Sequence, residues 1–206
     1  MIASQTTECS CKHIVSVSLG SSERNAKSTL QLKGQTFIIE RLGTDGNLQK
    51  ARQLLEELDG RVDALGLGGT DLYVYAGGRR YTFRESAKLI ENVKNTPVLD
   101  GSGLKNSLER ILINRLAADK IIDFQGKKVL MVCGVDRFGM AEAKKANGAD
   151  VTFGDLIFGL NWDHPIKSLQ TLDSFAKLLA PLLTKLPVRW FYPMGAKQSQ
   201  RKPQHQ

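Results

Sequence analysis

The sequence predicts an α/β protein: an N-terminal mixed α/β domain followed by the opening half of a Rossmann-like parallel sheet. Three observations carry this. Lys127 to Gly134 reads KKVLMVCG, a basic start and then an unbroken apolar run, which suits a parallel strand buried on both faces. A helical stretch from Phe138 to Asn147 follows it, then a second β-type run from Ala149 to Phe153, so strand, helix and strand form a βαβ unit. Upstream, β-type runs flank two-residue turns, Lys33-Gly34 and Gly77-Gly78, as in hairpins.

Taken in order, residues 1–12 are small and polar and read as a disordered leader. His13 to Leu19 is a short strand ended by Gly20-Ser21-Ser22. Ser28 to Leu32 and Gln35 to Arg41 form the first hairpin. Asn47 can cap the next helix, because its side chain accepts from an otherwise unpaired backbone N–H. Leu48, Ala51, Leu54, Leu55 and Leu58 share one face of that helix, and Gly60 stops it. Val62 to Leu67 is a buried-type strand. Leu72 to Ala76 and Arg79 to Phe83 are the second hairpin. A short helix over Glu85 to Lys94 places Ala87, Ile90 and Val93 inward. Pro97 to Leu99 is extended. Leu104 to Ala118 reads as one helix with Leu104, Leu108, Ile111, Leu112 and Leu116 on a stripe. Leu169 to Leu186 is mostly helical, with a kink expected at Pro181. The domains expected are 13–120 (mixed α/β), 121–192 (the incomplete nucleotide unit) and a polar tail over 193–206.

Composition narrows the function classes. The formal net charge is +8 over 206 residues, yet the positive charge is spread along the chain. No basic stripe is interleaved with aromatics and no zinc-finger spacing occurs, which argues against nucleic acid as a partner. Cys9, Cys11 and Cys133 form no disulfide framework and no metal-ligand set, so no metal is expected. Cys133 lies in the apolar run and reads as a core residue. The most apolar late segment, Phe175 to Tyr192, is interrupted by Lys177, Pro181, Lys185, Pro187 and Arg189 and is too short and too charged to span a bilayer. With no secretory pattern at the start, the expectation is a cytoplasmic protein without a membrane partner. That late helix is the candidate surface for docking a partner, a second copy of the chain included.

Two places could carry chemistry. Gly134-Val135-Asp136-Arg137-Phe138-Gly139 sits where the buried strand turns into a helix, whose N-terminal N–H groups and dipole favour anions. Asp155, about 20 residues on, stands where an acid accepts hydrogen bonds from a ribose hydroxyl. An acid there repels a 2′-phosphate, so NAD is favoured over NADP. Gly134, Arg137, Gly139 and Asp155 are the cofactor-binding candidates, although G-x-G-x-x-G is incomplete and Asp136 brings a negative charge into the loop. The alternative is an ordinary βα turn with no ligand.

The second place is Asp100-Gly101-Ser102-Gly103-Leu104-Lys105-Asn106. Asp100 and Lys105 are a candidate acid/base pair, because each shifts the other's proton affinity. The alternative is a capped helix start with Ser102 or Asp100 as N-cap. Ser102 and Asn106 beside them, and Arg79 and Arg80 after the second hairpin turn, are candidates for gripping a small-molecule substrate. Gly66-Leu67-Gly68-Gly69-Thr70-Asp71 reads as a tight turn, and His13, His164 and His205 receive no role.

The order DGSG, a helix with SLERIL, IIDFQGKKVLMV and then glycines opening a helix resembles the shikimate and quinate dehydrogenase family, bacterial quinate 5-dehydrogenases in particular. SVSLGSS, GGTDLYVYAGGRRY, VDRFGMAEA and FGDLIFGL extend the likeness. The resemblance implies an NAD(P)-dependent oxidoreductase acting on a ring hydroxyl of a cyclohexane carboxylate, with Asp100 at the place of the family's substrate-contacting aspartate. The family's asparagine and threonine before that aspartate are Val98 and Leu99 here, and its N-V-T-x-P-x-K segment has no counterpart, leaving Lys105 as the substitute lysine. Only two strands follow Lys127, fewer than a dinucleotide domain needs, so the expectation is either a truncated member or a sheet completed from elsewhere. The competing expectation is a non-catalytic α/β protein that binds a nucleotide or another small ligand.

Overall fold

A computed structural model describes residues 11–76 and 78–190. The leader other than Cys11 and Lys12, residue 77 of the second hairpin turn, and the tail from 191 onward lie outside the described residues. The fold is mixed α/β. The described residues divide into two compact units: 11–70, 86–100 and 188–190, and 71–76, 78–85 and 101–187.

The first unit is built on a five-stranded sheet in the order β2-β3-β1-β4-β7. Its strands are β1 (Lys12–Ser18), β2 (Ala26–Leu32), β3 (Gln35–Gly43), β4 (Ala64–Gly68) and β7 (Val98–Leu99). β1 is central and pairs in parallel with β3 and with β4, and β4 pairs in parallel with β7. Lys12, read from sequence as the last residue of the leader, is already in β1 and in register with Phe37. β2 and β3 are the expected hairpin. Its two turn residues both take positive φ, Lys33 at 49° and Gly34 at 77°, the geometry that matches the twist of paired strands. Asn47 caps α1 (Leu48–Leu58) by accepting from the Lys50 N–H at 3.0 Å. The helix buries Ala51 and Leu55, and the sheet buries Val15, Val17, Leu65 and Leu67. The next helix, α2 (Arg84–Leu89), is shorter than its sequence pattern. Ser86 and Leu89 are its buried residues rather than Ala87, Ile90 and Val93. The chain leaves it at Ile90 and Val93, whose N–H groups make turn bonds to Ala87 and Ile90.

The second unit carries the βαβ unit. β8 (Lys128–Met131), α5 (Phe138–Ala146) and β9 (Asp150–Phe153) follow one another, and the two strands pair in parallel. A hairpin of β5 (Tyr73–Ala76) and β6 (Arg79–Thr82) belongs to this unit, as do α3 (Ser102–Asn106), α4 (Leu108–Ala118), α6 (Asp155–Leu160) and α7 (Leu169–Leu183). Residues 101–120, read from sequence as the end of the first domain, pack here, because Ile113 of α4 is part of the core formed with Phe138, Val151, Phe153 and Leu172. The single helix expected from Leu104 to Ala118 is two helices, broken at Ser107. The buried face of α4 centres on Ile113, while Leu104, Leu108, Ile111 and Leu112 are exposed. β8 is likewise covered on one face only. Met131 is buried, but Leu130 is 59% and Val132 56% exposed. A run that reads as buried on both faces thus stands in a two-stranded sheet with one covered face. Cys133, expected in the core, is also exposed. Its thiol is nonetheless pushed up to about 12, by desolvation first and by the Asp155 carboxylate next. Both effects disfavour the thiolate, so the thiol is protonated at neutral pH. Among the described residues no helix is long and apolar enough to cross a membrane.

Candidate functional site

In the second unit, two ion pairs converge on Lys105. The chain enters α3 through Gly101, whose φ of 85° is left-handed, and no side chain caps the helix. The capped start with Ser102 or Asp100 as N-cap is therefore not what forms. Ser102 instead turns inward and donates from its hydroxyl to the Tyr73 carbonyl at 2.9 Å, tying α3 to β5. Lys105 follows three residues later. Its Nζ lies 2.6 Å from Asp71 Oδ2 and 2.7 Å from Asp136 Oδ1. Asp71 lies two residues before β5 and is buried. Asp136 lies in the turn between β8 and α5. One ammonium thus faces two carboxylates. Burial opposes the charge on Lys105, but the hydrogen bonds and charges of Asp136 and Asp71 outweigh it and hold the ammonium above its ordinary value.

A depression lies at this centre, lined by Tyr73, Tyr75, Ser102, Asn106 and Phe138 with Lys105 and Asp136, and as it stands it is too tight to hold a water molecule. The Arg80 guanidinium lies 4.7 Å from the centroid of the Tyr73 ring, a cation–π distance. The structure therefore gathers Ser102, Lys105 and Asn106 at one place and sets Arg80 over one of its walls. Arg79 is exposed at the start of β6. Asp100 belongs to the first unit, where it follows β7.

The βα turn is the other candidate. Both oxygens of the Asp155 carboxylate are engaged by it: Gly134 N–H donates to Oδ2 at 2.8 Å and Val135 N–H to Oδ1 at 2.9 Å. Asp155 opens α6 rather than closing β9. A β-carbon on Gly134 would stand 2.6 Å from Phe153 Cδ1 and 2.9 Å from Leu172 Cδ2. One on Gly139 would stand 2.8 Å from the Asn106 carbonyl oxygen. Arg137 forms an ion pair with Glu109 of α4.

Two families match the sequence. Residues 13–100 match one described as a domain of unknown function (DUF8753). Residues 103–206, just over half of the chain, match another described as a domain of unknown function (DUF8754). The chain belongs to the DUF8754 family. No curated protein matches it.

The DUF8754 segment supplies Lys105, Asn106 and Asp136 of the charged centre, while Asp71, Tyr73 and Tyr75 come from the segment before it. Its βα turn bears directly on the dinucleotide implied by the resemblance. In a dinucleotide-binding turn the first glycine makes the tight turn, the second lets the pyrophosphate approach and the third lets the helix pack closely. Gly134 and Gly139 of the DUF8754 segment have packing reasons to be glycine, against Phe153 and Leu172 and against Asn106. The position between them, where the close approach is made, is Asp136. With two turn amides already given to Asp155 and a carboxylate at the middle position, the residues present do not fit a pyrophosphate.

Asp71 and the two tyrosines were not legible as site residues. Asp71 ends a glycine-rich stretch that reads as a turn, and it meets Lys105 from 34 positions away. The available signal was the combination of an acid at a strand end with a lysine in a glycine-rich helix start, which names the residue types but not the pairing.

Proposed function

We propose that the chain binds a small polyhydroxylated ring acid at the Lys105 centre, the small-ligand reading of the sequence. The observation that carries it is the ammonium of Lys105 held between Asp71 and Asp136 beside the walls formed by Tyr73 and Tyr75. Carboxylates accept hydrogen bonds from ring hydroxyls and an ammonium donates to their oxygens. An aromatic wall packs against the C–H face of a saturated ring, and Tyr73 and Tyr75 would have to part to admit one, because the depression is closed. The centre carries one positive and two negative charges, so it favours hydroxyl donors over a second anion. Arg80 on the Tyr73 ring, with Arg79 beside it in sequence, supplies the countercharge for the ligand's own carboxylate. Quinate and shikimate have this chemistry. Lys105 and its carboxylates would orient a ring hydroxyl and hold its proton.

The test is calorimetric titration of the full chain with quinate, shikimate and myo-inositol, repeated with Lys105→Met. Saturable binding of a ring acid, weakened at least about tenfold in the variant (about 1.4 kcal/mol), is expected. Absence of binding by all three would refute the reading. Appearance of reduced-nicotinamide absorbance when NAD is added with quinate would favour the oxidoreductase that the resemblance implies.

A further inference from the structure

We infer that the turn between β8 and α5 is an anion cradle filled by the chain's own carboxylate, and that the second unit therefore discriminates against phosphate-bearing ligands at this turn. Successive backbone N–H groups at a strand-to-helix turn form a concavity that binds anions, and the following helix dipole reinforces it. Here the first two N–H groups, those of Gly134 and Val135, point at an anion, but it is the side chain of Asp155. The carboxylate meets them with one oxygen each, at 2.8 and 2.9 Å, the geometry of a bound oxyanion.

A second, independent observation points the same way. Asp136 stands at the middle position of the turn and directs its carboxylate to Lys105. A pyrophosphate approaching the backbone would face two carboxylates, one of which already holds the amides it needs. Asp155 is half-buried and not free to swing aside without taking its carboxylate from both N–H groups, and unmet buried donors are unfavourable. The glycines on either side keep their packing roles, so the turn retains its shape while its ligand position is taken. This inference concerns the turn alone. It stands or falls independently of whether a ring acid binds at Lys105.

The test is titration of the full chain with NAD, NADP, ADP-ribose and inorganic pyrophosphate, for the wild type, Asp155→Ala and Asp155→Asn. The wild type should show no saturable binding tighter than about 1 mM. Asp155→Ala frees both amides and should bind pyrophosphate at least about tenfold more tightly than the wild type. Asp155→Asn keeps the side-chain shape but loses one acceptor and the charge; it should gain less, and it serves if the alanine variant does not fold by circular dichroism. Wild-type binding of any of the four ligands in the micromolar range would overturn the inference. So would a folded Asp155 variant that binds pyrophosphate no better than the wild type.

Discussion

Replacing Lys105 by methionine removes the ammonium that the Asp71 and Asp136 contacts at 2.6 and 2.7 Å share. Asp71 is the partner that suffers most, because its side chain is 10% exposed, whereas that of Asp136 is 31% exposed and can rehydrate. Breaking a fully buried pair costs about 3–5 kcal/mol. With Lys105 itself at 21% exposure and one partner near the surface, a loss of about 2–3 kcal/mol follows. The assay is urea unfolding at pH 7, with Lys105→Arg as the control that keeps the charge. The pH dependence supplies a second check. The folded-state value of Lys105 is raised, so its contribution is complete below the unfolded value of about 10.4 and is lost as pH rises through the folded value. The difference between wild type and variant should therefore hold from pH 7 to 9 and shrink above about pH 10.5. A loss below about 0.5 kcal/mol at pH 7, or a difference that does not change in alkali, would refute the pairing as described.

Three further outcomes follow from the packing. Asn47→Ala should cost about 1 kcal/mol in urea unfolding, since it deletes the acceptor for the Lys50 N–H at the start of α1; no change would mean the cap is not formed in solution. Gly134→Ala should destabilise the second unit by about 1–3 kcal/mol through overpacking against Phe153 and Leu172, and a neutral result would show that the turn is looser than its contacts indicate. Asp59 accepts backbone N–H bonds from Lys94, Asn95 and Thr96, and these, Lys94 first, hold its carboxyl below the ordinary value. Its folded-state value is depressed, so its contribution is present above the unfolded value of about 3.9 and fades as pH falls through the folded one; the acid slope of the urea midpoint should be shallower in Asp59→Asn.

What was legible in the sequence was local. The Lys33-Gly34 turn, the Asn47 cap and the strand–helix–strand order from Lys128 to Phe153 depend on residues within a few positions of one another, and they form as read. Coverage of a face does not depend on local pattern. KKVLMVCG describes a strand that could be buried on both sides, but Leu130 and Val132 are exposed because burial depends on what lies against them. The stripe from Leu104 to Leu116 is exposed at Leu104, Leu108, Ile111 and Leu112 for the same reason, and Ser107 divides its helix. Within the candidate site Lys105 was visible as a lysine at a glycine-rich helix start. Its partners Asp71 and Asp136 lie 34 and 31 positions away and come together only through the fold. Asp136 was visible only as a charge that did not suit a phosphate loop, and the structure gives that charge a lysine.

The central claim is that Lys105 and its two carboxylates form a binding centre for a ring acid. The most direct measurement is a two-dimensional amide spectrum of the full chain, assigned and titrated with quinate. The backbone signals of Tyr73, Tyr75, Ser102, Asn106 and Phe138, which line the depression, should shift together and saturate, and Lys105→Met should abolish the shifts. Saturable shifts confined to other residues, or none at all, would contradict it.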